Sequence, residues 1–296
     1  MKHQLFIKHK MVLEDWHTHN ELCRHAVGTI EDYIKRAIQM ELDLIGISDH
    51  FPYEYLRGGS VLIEEVPYQE YAMRLNEVET YFSTIEKLKK KFKNKIQIRV
   101  AFEIDYFKSQ EEALNKYLKN RMDLIDYILG SVHMLHRKSR LFAFDDERFL
   151  GMYKEYESID IIYLEYFRKL QEMITSEEFD FDILCHFDLP KKYNKRANDK
   201  DLVMNEAIRT LELVKKADLT IEINTGGLRK DIKEQYPSFE IVEKMYELDI
   251  PILLGSDAHH PNDLAYKFDK IIRLLRKIGY DHLTHFNKRK RSFVEI

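Results

Sequence analysis

The sequence predicts an irregular β/α barrel of seven parallel strands, and three observations carry that prediction. Seven short runs rich in Ile, Val and Leu recur along the 296 residues, helical patterns separate them, and six of the seven lead into a histidine or a carboxylate. Apolar runs of four to eight residues are the signature of strands buried on both faces. Their alternation with helices implies a parallel sheet with the helices outside it. An open sheet would gather polar side chains only at a switch point between a few strands. Ligating residues after six strands call instead for closure, because a barrel collects all its strand ends on one face. No Pro-, Gly- or Ser-rich linker and no low-complexity tract interrupts the pattern, so residues 1–296 are expected to form one domain. A hydrophobic content of 44% is ample for its core.

The first strand, residues 12–16, leads into His17-Thr18-His19. A helix then starts at Thr29, a good N-cap followed by Glu31 and Asp32, with Ile30, Ile34, Ala37 and Ile38 on one face. Residues 42–47 form the second strand and deliver His50. Amphipathic stretches at 68–92 and 109–122 flank the third strand, 96–102, which precedes Glu103. The fourth strand, 127–132, precedes His133, and a helix is predicted over 146–174. The fifth, 181–185, leads into His186 and then a helix over 199–217. The sixth, 219–224, is the exception, ending at Thr225-Gly226-Gly227 without a ligating residue; a helix over 238–248 follows. The seventh, 250–255, delivers Ser256-Asp257-Ala258-His259. A last helix carries Leu264, Phe268, Ile271, Ile272, Leu275 and Ile278 as an apolar stripe.

Composition narrows the function. A net charge of −4 and a pI near 6.4 give no global drive toward nucleic acid or anionic membranes, so a small solute is the expected partner. The basic run 87–95 falls near a helix C-terminus, where cations suit the dipole, and residues 288–291 read as a mobile terminal tail. No nucleic-acid or membrane partner is expected. Two cysteines, Cys23 and Cys185, cannot make a disulfide framework, and no run approaches the roughly 20 apolar residues of a membrane span. The N-terminus lacks the apolar stretch of a signal peptide, which makes the cytoplasm the expected location.

Two imidazoles at i and i+2, as in His17 and His19, point the same way at a strand end. Asp257 and His259 repeat that spacing. Any one such residue alone would more often be a packed or surface side chain, but recurrence at equivalent positions makes that reading untenable. Glu103 follows an apolar run where an unpaired carboxylate would be costly to bury. Cations would remove the cost; a salt bridge to Arg99 is the competing explanation. So many nitrogen and oxygen donors exceed the needs of one ion. The imidazole–carboxylate mixture suits Zn, Mn or Fe, and the lack of a cysteine cluster argues against a structural zinc site. Sites with ions roughly 3.5 to 4 Å apart are typical of phosphate-ester hydrolysis. Phosphate recognition needs further cations, for which Arg229, Lys230, Lys191, Lys192 and Arg196 are placed in loops after strands five and six. Arg229 is the first choice, since Gly226 and Gly227 permit close backbone approach and Arg grips phosphate with paired hydrogen bonds.

The motifs HTHNELCRHA, GISDHFP, AFEIDY, ILGSVHML, ILCHFDLPKKY, INTGGLRK and LLGSDAHHP, in this order from His17 to about Phe268, resemble the PHP (polymerase and histidinol phosphatase) family. The segments CRHA, SVHML and HFDLPK look most like its monofunctional histidinol-phosphate phosphatases. The resemblance implies a distorted, TIM-like (β/α)7 barrel holding three divalent transition-metal ions. It implies a first ion on His17, His19, Glu103 and Asp257, with Glu103 bridging to a second on His133 and His186. His25, His50 and His259 would hold the third, and only the resemblance brings His25 in. The implied reaction is hydrolysis of L-histidinol phosphate to L-histidinol and phosphate, with Glu103, Asp257 and His259 at its centre. Candidates for a general acid serving the leaving group are Asp49, Asp188 and His260.

Overall fold

The computed structural model describes residues 12–56, 68–138 and 140–296; the N-terminal stretch with His3 and His9 lies outside them. Seven parallel strands follow one another round the sheet: β1 (Glu14–Asp15), β2 (Leu44–Ile47), β3 (Gln97–Asp105), β4 (Tyr127–Ser131), β7 (Ile183–Leu184), β8 (Thr220–Asn224) and β9 (Ile252–Gly255). The last returns to the first. Trp16 N–H donates to Leu254 O at 3.1 Å, Asp257 N–H to His17 O at 2.8 Å and His19 N–H to Ala258 O at 3.0 Å. These bonds close the barrel with its carboxyl ends together, as the strand-end pattern requires. The numbers missing from the barrel belong to the antiparallel hairpin β5 (Met134–Arg137) and β6 (Arg140–Ala143), which rises beside the mouth after β4.

The helices α1 (Ile30–Gln39), α2 (Val78–Phe92), α3 (Glu111–Leu118), α4 (Ile159–Ile174), α5 (Lys200–Lys216), α6 (Phe239–Glu247) and α7 (Phe268–Ile278) alternate with the strands. Thr29 caps α1 as expected, its hydroxyl accepting from Asp32 N–H while the Asp32 carboxylate accepts from Thr29 N–H. Three predicted helices prove too long. Residues 68–77 make only short 3-10 turns before α2, and the 146–174 stretch breaks into a 3-10 segment, Glu147–Glu155, and α4, restarted by a Ser158 cap. The last helix begins at Phe268 because Ala265 and Lys267 take positive φ, 48° and 61°; Leu264 is buried ahead of it.

The barrel interior is a small apolar cluster of Trp16, Leu44, Ala101, Tyr127, Leu129, Ile183, Cys185, Leu253 and Phe286. Trp16 meets Tyr127 edge-on at 5.1 Å between ring centres, and the Tyr127 hydroxyl donates to Trp16 O. Gly46 makes room for that hydroxyl, since a Cβ there would stand 1.8 Å from it.

Phe286 comes from a region expected to be a mobile tail, and that expectation is overturned. Residues 282–295 form a hairpin, β10 (His282–Asn287) and β11 (Lys290–Glu295), that covers the amino end of the barrel. Its basic turn is held by carboxylates: Arg289 by Asp180 at 2.9 Å and Asp182 at 2.5 Å, Arg291 by Asp218 at 2.6 Å. Arg99 also belongs to this end, donating to Phe286 O at 2.9 Å, so it is no partner for Glu103. Phe286→Ala should therefore cost about 3–5 kcal/mol of stability in urea denaturation, as cavity-forming aromatic truncations do. A loss below about 1 kcal/mol would mean that the hairpin is not a plug.

Candidate metal centre

His17 and His19 stand just past β1, His50 past β2, His133 past β4, His186 past β7, and Asp257 and His259 past β9. Glu103 lies inside β3 rather than beyond it, because that strand runs on to Asp105. His186 and Asp257 adopt positive φ, 25° and 53°. Such backbone costs on the order of 1–3 kcal/mol for a non-glycine residue and gathers where side-chain aim matters. His25 arrives from the loop after β1, its ring 4.8 Å from that of His259 and 5.3 Å from that of His50. All nine residues of the predicted set meet at one end of the barrel.

The two oxygens of Glu103 face different groups. Oε2 is 3.2 Å from His17 Nε2, 3.4 Å from His19 Nε2 and 3.2 Å from His50 Nδ1. Oε1 is 2.9 Å from His186 Nε2 and 3.5 Å from His133 Nε2. Asp257 Oδ1 stands 3.3 Å from His19 Nε2 and 3.9 Å from His17 Nε2, and those two nitrogens are 3.0 Å apart. A third group forms where the His19, His50 and His259 donor atoms come within 4.8 Å of one another.

Behind the ring sits a layer of carboxylates, of which sequence reading singled out only Asp49, and that as a candidate general acid. Glu222 Oε1 lies 2.7 Å from His17 Nδ1, Asp49 Oδ1 3.2 Å from His19 Nδ1, and Asp105 Oδ1 3.0 Å from His133 Nδ1. A carboxylate accepts only, so each of these Nδ1 atoms carries a proton, and Nε2 is left as the nitrogen that faces the centre and ligates a cation once its own proton leaves. His186 Nδ1 is buried with no hydrogen-bond partner among the described residues. A set of imidazole nitrogens and carboxylate oxygens converging at these distances fits divalent cations, with the outer carboxylates in the role of orienting groups.

Electrostatics point the same way. Burial opposes charge on His17, yet Glu222, Glu103 and Asp257 outweigh it and hold its pKa well above the usual value. His19 is likewise raised to about 9 against burial by Asp257 and Asp49, and His133 to about 10 by Asp105 and Glu103. Burial opposes charge on Glu103 and Asp257 too, but the surrounding imidazoles keep both well below the ordinary carboxylate range. His50 and His259 are pushed well down, by burial first and by neighbouring imidazoles second. His17, His19 and His133, which draw in protons beside two ionised carboxylates, make that part of the ring one built for positive charge.

A cavity of about 830 Å³ opens above it, reaching Glu103, His133, His186, Asp257 and His259 at its base, with Lys192, Arg229 and Lys230 on one wall. Arg229 is half committed: one terminal nitrogen donates to Ser256 O at 2.8 Å and Asp257 O at 2.9 Å, while Nη1 is buried without a partner. Lys192 is 2.9 Å from Asp145. Arg196 does not belong here; it lies 56% exposed beside Glu234 and lines a smaller cavity between α4, α5 and α6. Lys191 is also removed, buried against Asp188 at 2.8 Å. Among the three general-acid candidates none lines the pocket. Asp49 backs His19, Asp188 accepts from Ser238 N–H, and His260 is an exposed cap accepting from Asn262 N–H. In each case the polar group is committed to a neighbour, distant in sequence for Asp49 and two residues on for His260.

Comparison with known proteins agrees with this architecture. The PHP domain profile matches residues 15–226. A Deinococcus radiodurans protein named probable histidinol-phosphatase is 30% identical over 276 residues, covering 93% of this chain and 97% of its own. The crystal structure of a Listeria monocytogenes protein described as a histidinol phosphatase, hisK, superposes with a TM-score of 0.78 at 26% identity, over 87% of this chain and 99% of that one. The histidinol phosphate phosphatase of Lactococcus lactis, solved with zinc, L-histidinol and phosphate, shares the fold at a TM-score of 0.75 and 20% identity, over 95% of this chain and 98% of that one. With a family match over residues 15–226, most of its length, the chain belongs to the PHP domain family.

Proposed function

We propose that the chain is a metal-dependent phosphomonoesterase that hydrolyses L-histidinol phosphate to L-histidinol and phosphate, a cytoplasmic step of histidine biosynthesis, with residues 1–296 acting as one metallohydrolase domain. The observation that carries this reading is Glu103, whose two oxygens face two separate histidine groups. Three divalent ions, zinc, manganese or iron, would be held by His17, His19, Glu103 and Asp257; by Glu103, His133 and His186; and by His25, His50 and His259. The chemistry so supplied is polarisation of phosphoryl oxygens and a lowered pKa for water.

The chain's own residues do the rest. Glu222, Asp49 and Asp105 hold Nδ1 of His17, His19 and His133, in that order, so that Nε2 of each ring faces the reacting centre. Glu103, Asp257 and His259 line the floor on which the phosphate would rest, and Arg229, with Lys192 and Lys230, supplies positive charge from the wall. Names of relatives support the substrate: the Deinococcus protein by its name, the Lactococcus structure by its bound L-histidinol and phosphate. A phosphate-release screen over histidinol phosphate, sugar phosphates, nucleotides and single-stranded DNA, with added zinc or manganese, tests the reading. Histidinol phosphate is expected to lead the panel; preferential phosphate release from nucleotides would make the chain a nucleotidase, and DNA cut to nucleotides without free phosphate, read by chromatography of the products, would replace the proposal by a phosphodiesterase.

A further inference from the structure

Strand β8 contributes no residue to the ring, yet its central side chain touches three elements that do. Glu222 is completely buried, flanked by Ile221 and Ile223, on the face of β8 that it shares with Thr220 and Asn224. Its Oε1 takes the Nδ1 proton of His17 at 2.7 Å. Its Oε2 accepts from the backbone N–H of His186 at 3.2 Å and from the side-chain amide of Asn224 at 3.0 Å. That amide in turn reaches toward Asp257 Oδ2 at 3.4 Å.

We propose that Glu222 is the positioning residue that ties the two histidine groups to each other, holding His17 of one and His186 of the other from a single carboxylate. The inference rests on the reading of the ring as a metal centre. Three donors converge on this side chain, and only a group that accepts at both ends can serve them all. Glutamine, nearly the same shape, cannot. With its oxygen toward His17, its NH2 would oppose the N–H of His186 and the amide of Asn224. Turned round, its NH2 would donate to His17 Nδ1 and drive the ring proton to Nε2, the nitrogen that faces Glu103. The neighbouring strand is shaped to the same carboxylate. A Cβ on Gly255 would stand 1.8 Å from Glu222 Oε1 and 2.7 Å from His17 Cβ, so even alanine there must displace the pair.

The test compares wild-type, Glu222→Gln and Gly255→Ala proteins, each loaded with zinc and dialysed against a graded chelator series, with retained zinc measured by elemental analysis. Nitrogen NMR of the histidine rings in the same samples reports which nitrogen of His17 is protonated. Glu222→Gln is expected to weaken zinc retention roughly 10- to 100-fold, the usual cost of losing an orienting partner, with a changed His17 signal. Gly255→Ala should move both readouts the same way, and it decides the matter if the glutamine variant does not fold. Wild-type zinc retention and an unchanged His17 signal in a folded variant would overturn the inference. A wild-type protein that holds no zinc, manganese or iron would overturn the metal-centre reading itself, a distinguishable result.

Discussion

Glu103→Gln is expected to lower phosphate release from L-histidinol phosphate by roughly 10³-fold or more, equivalent to about 4 kcal/mol of transition-state stabilisation, in a protein that remains folded. The size of the effect follows from the double engagement of the side chain. His17, His19 and His50 face one oxygen, and His133 and His186 the other. An amide has one acceptor end. Whichever way it turns, its NH2 meets imidazole nitrogens within hydrogen-bonding range and occupies a lone pair that a cation would need. One histidine group or the other is lost, together with the negative charge between them. Steady-state phosphate release, with elemental analysis of the same samples, checks both consequences. Near-normal turnover with full metal content would show that Glu103 is structural and that the two groups work separately.

The ring was legible because of how a closed parallel barrel is written. Strands buried on both faces are apolar throughout, so a histidine or carboxylate directly after such a run stands out, and closure brings those ends together. His17, His19, His50, His133, His186, Asp257 and His259 all follow that rule. His25 does not: it sits in a loop beyond the 3-10 turn Glu21–Cys23, where no periodicity marks it, and only the likeness of CRHA to a family motif singled it out. Of the outer carboxylates, Asp49 was singled out only as a candidate acid, and Glu222 was missed for the opposite reason. Glu222 lies within a strand, where its neighbours Ile221 and Ile223 hide it in an apparently apolar run. The signal was there in the parity of Thr220, Glu222 and Asn224, three polar residues on one face of a strand otherwise built of Ile and Leu. The C-terminal hairpin was unreadable locally, since Arg289 and Arg291 look like tail charges until Asp180, Asp182 and Asp218 are brought beside them. Lys191 and Arg196 fail as phosphate candidates in the same way, each matched to an acid distant in sequence or turned away by its turn.

Arg229→Lys, which keeps the charge, should still reduce kcat/KM for L-histidinol phosphate by roughly 10- to 150-fold, as expected for about 1.5–3 kcal/mol of charge-assisted hydrogen bonding. Two losses combine. Arginine, which lines the pocket, holds the Ser256 and Asp257 carbonyls with one terminal nitrogen, steadying a turn whose Asp257 sits at a φ of 53°, and keeps a second, buried nitrogen that has no partner. A single ammonium on a flexible stem cannot occupy both places, because the fork of the guanidinium is what separates the two tasks. The ratio between the effects on kcat and KM divides them. If the free nitrogen grips phosphate equally in ground and transition states, KM rises and kcat holds. If the clamp on the 256–257 turn dominates, Asp257 loosens, kcat falls and metal retention falls with it. Unchanged values of both constants would leave the phosphate to Lys192 and Lys230, the other two cations on that wall.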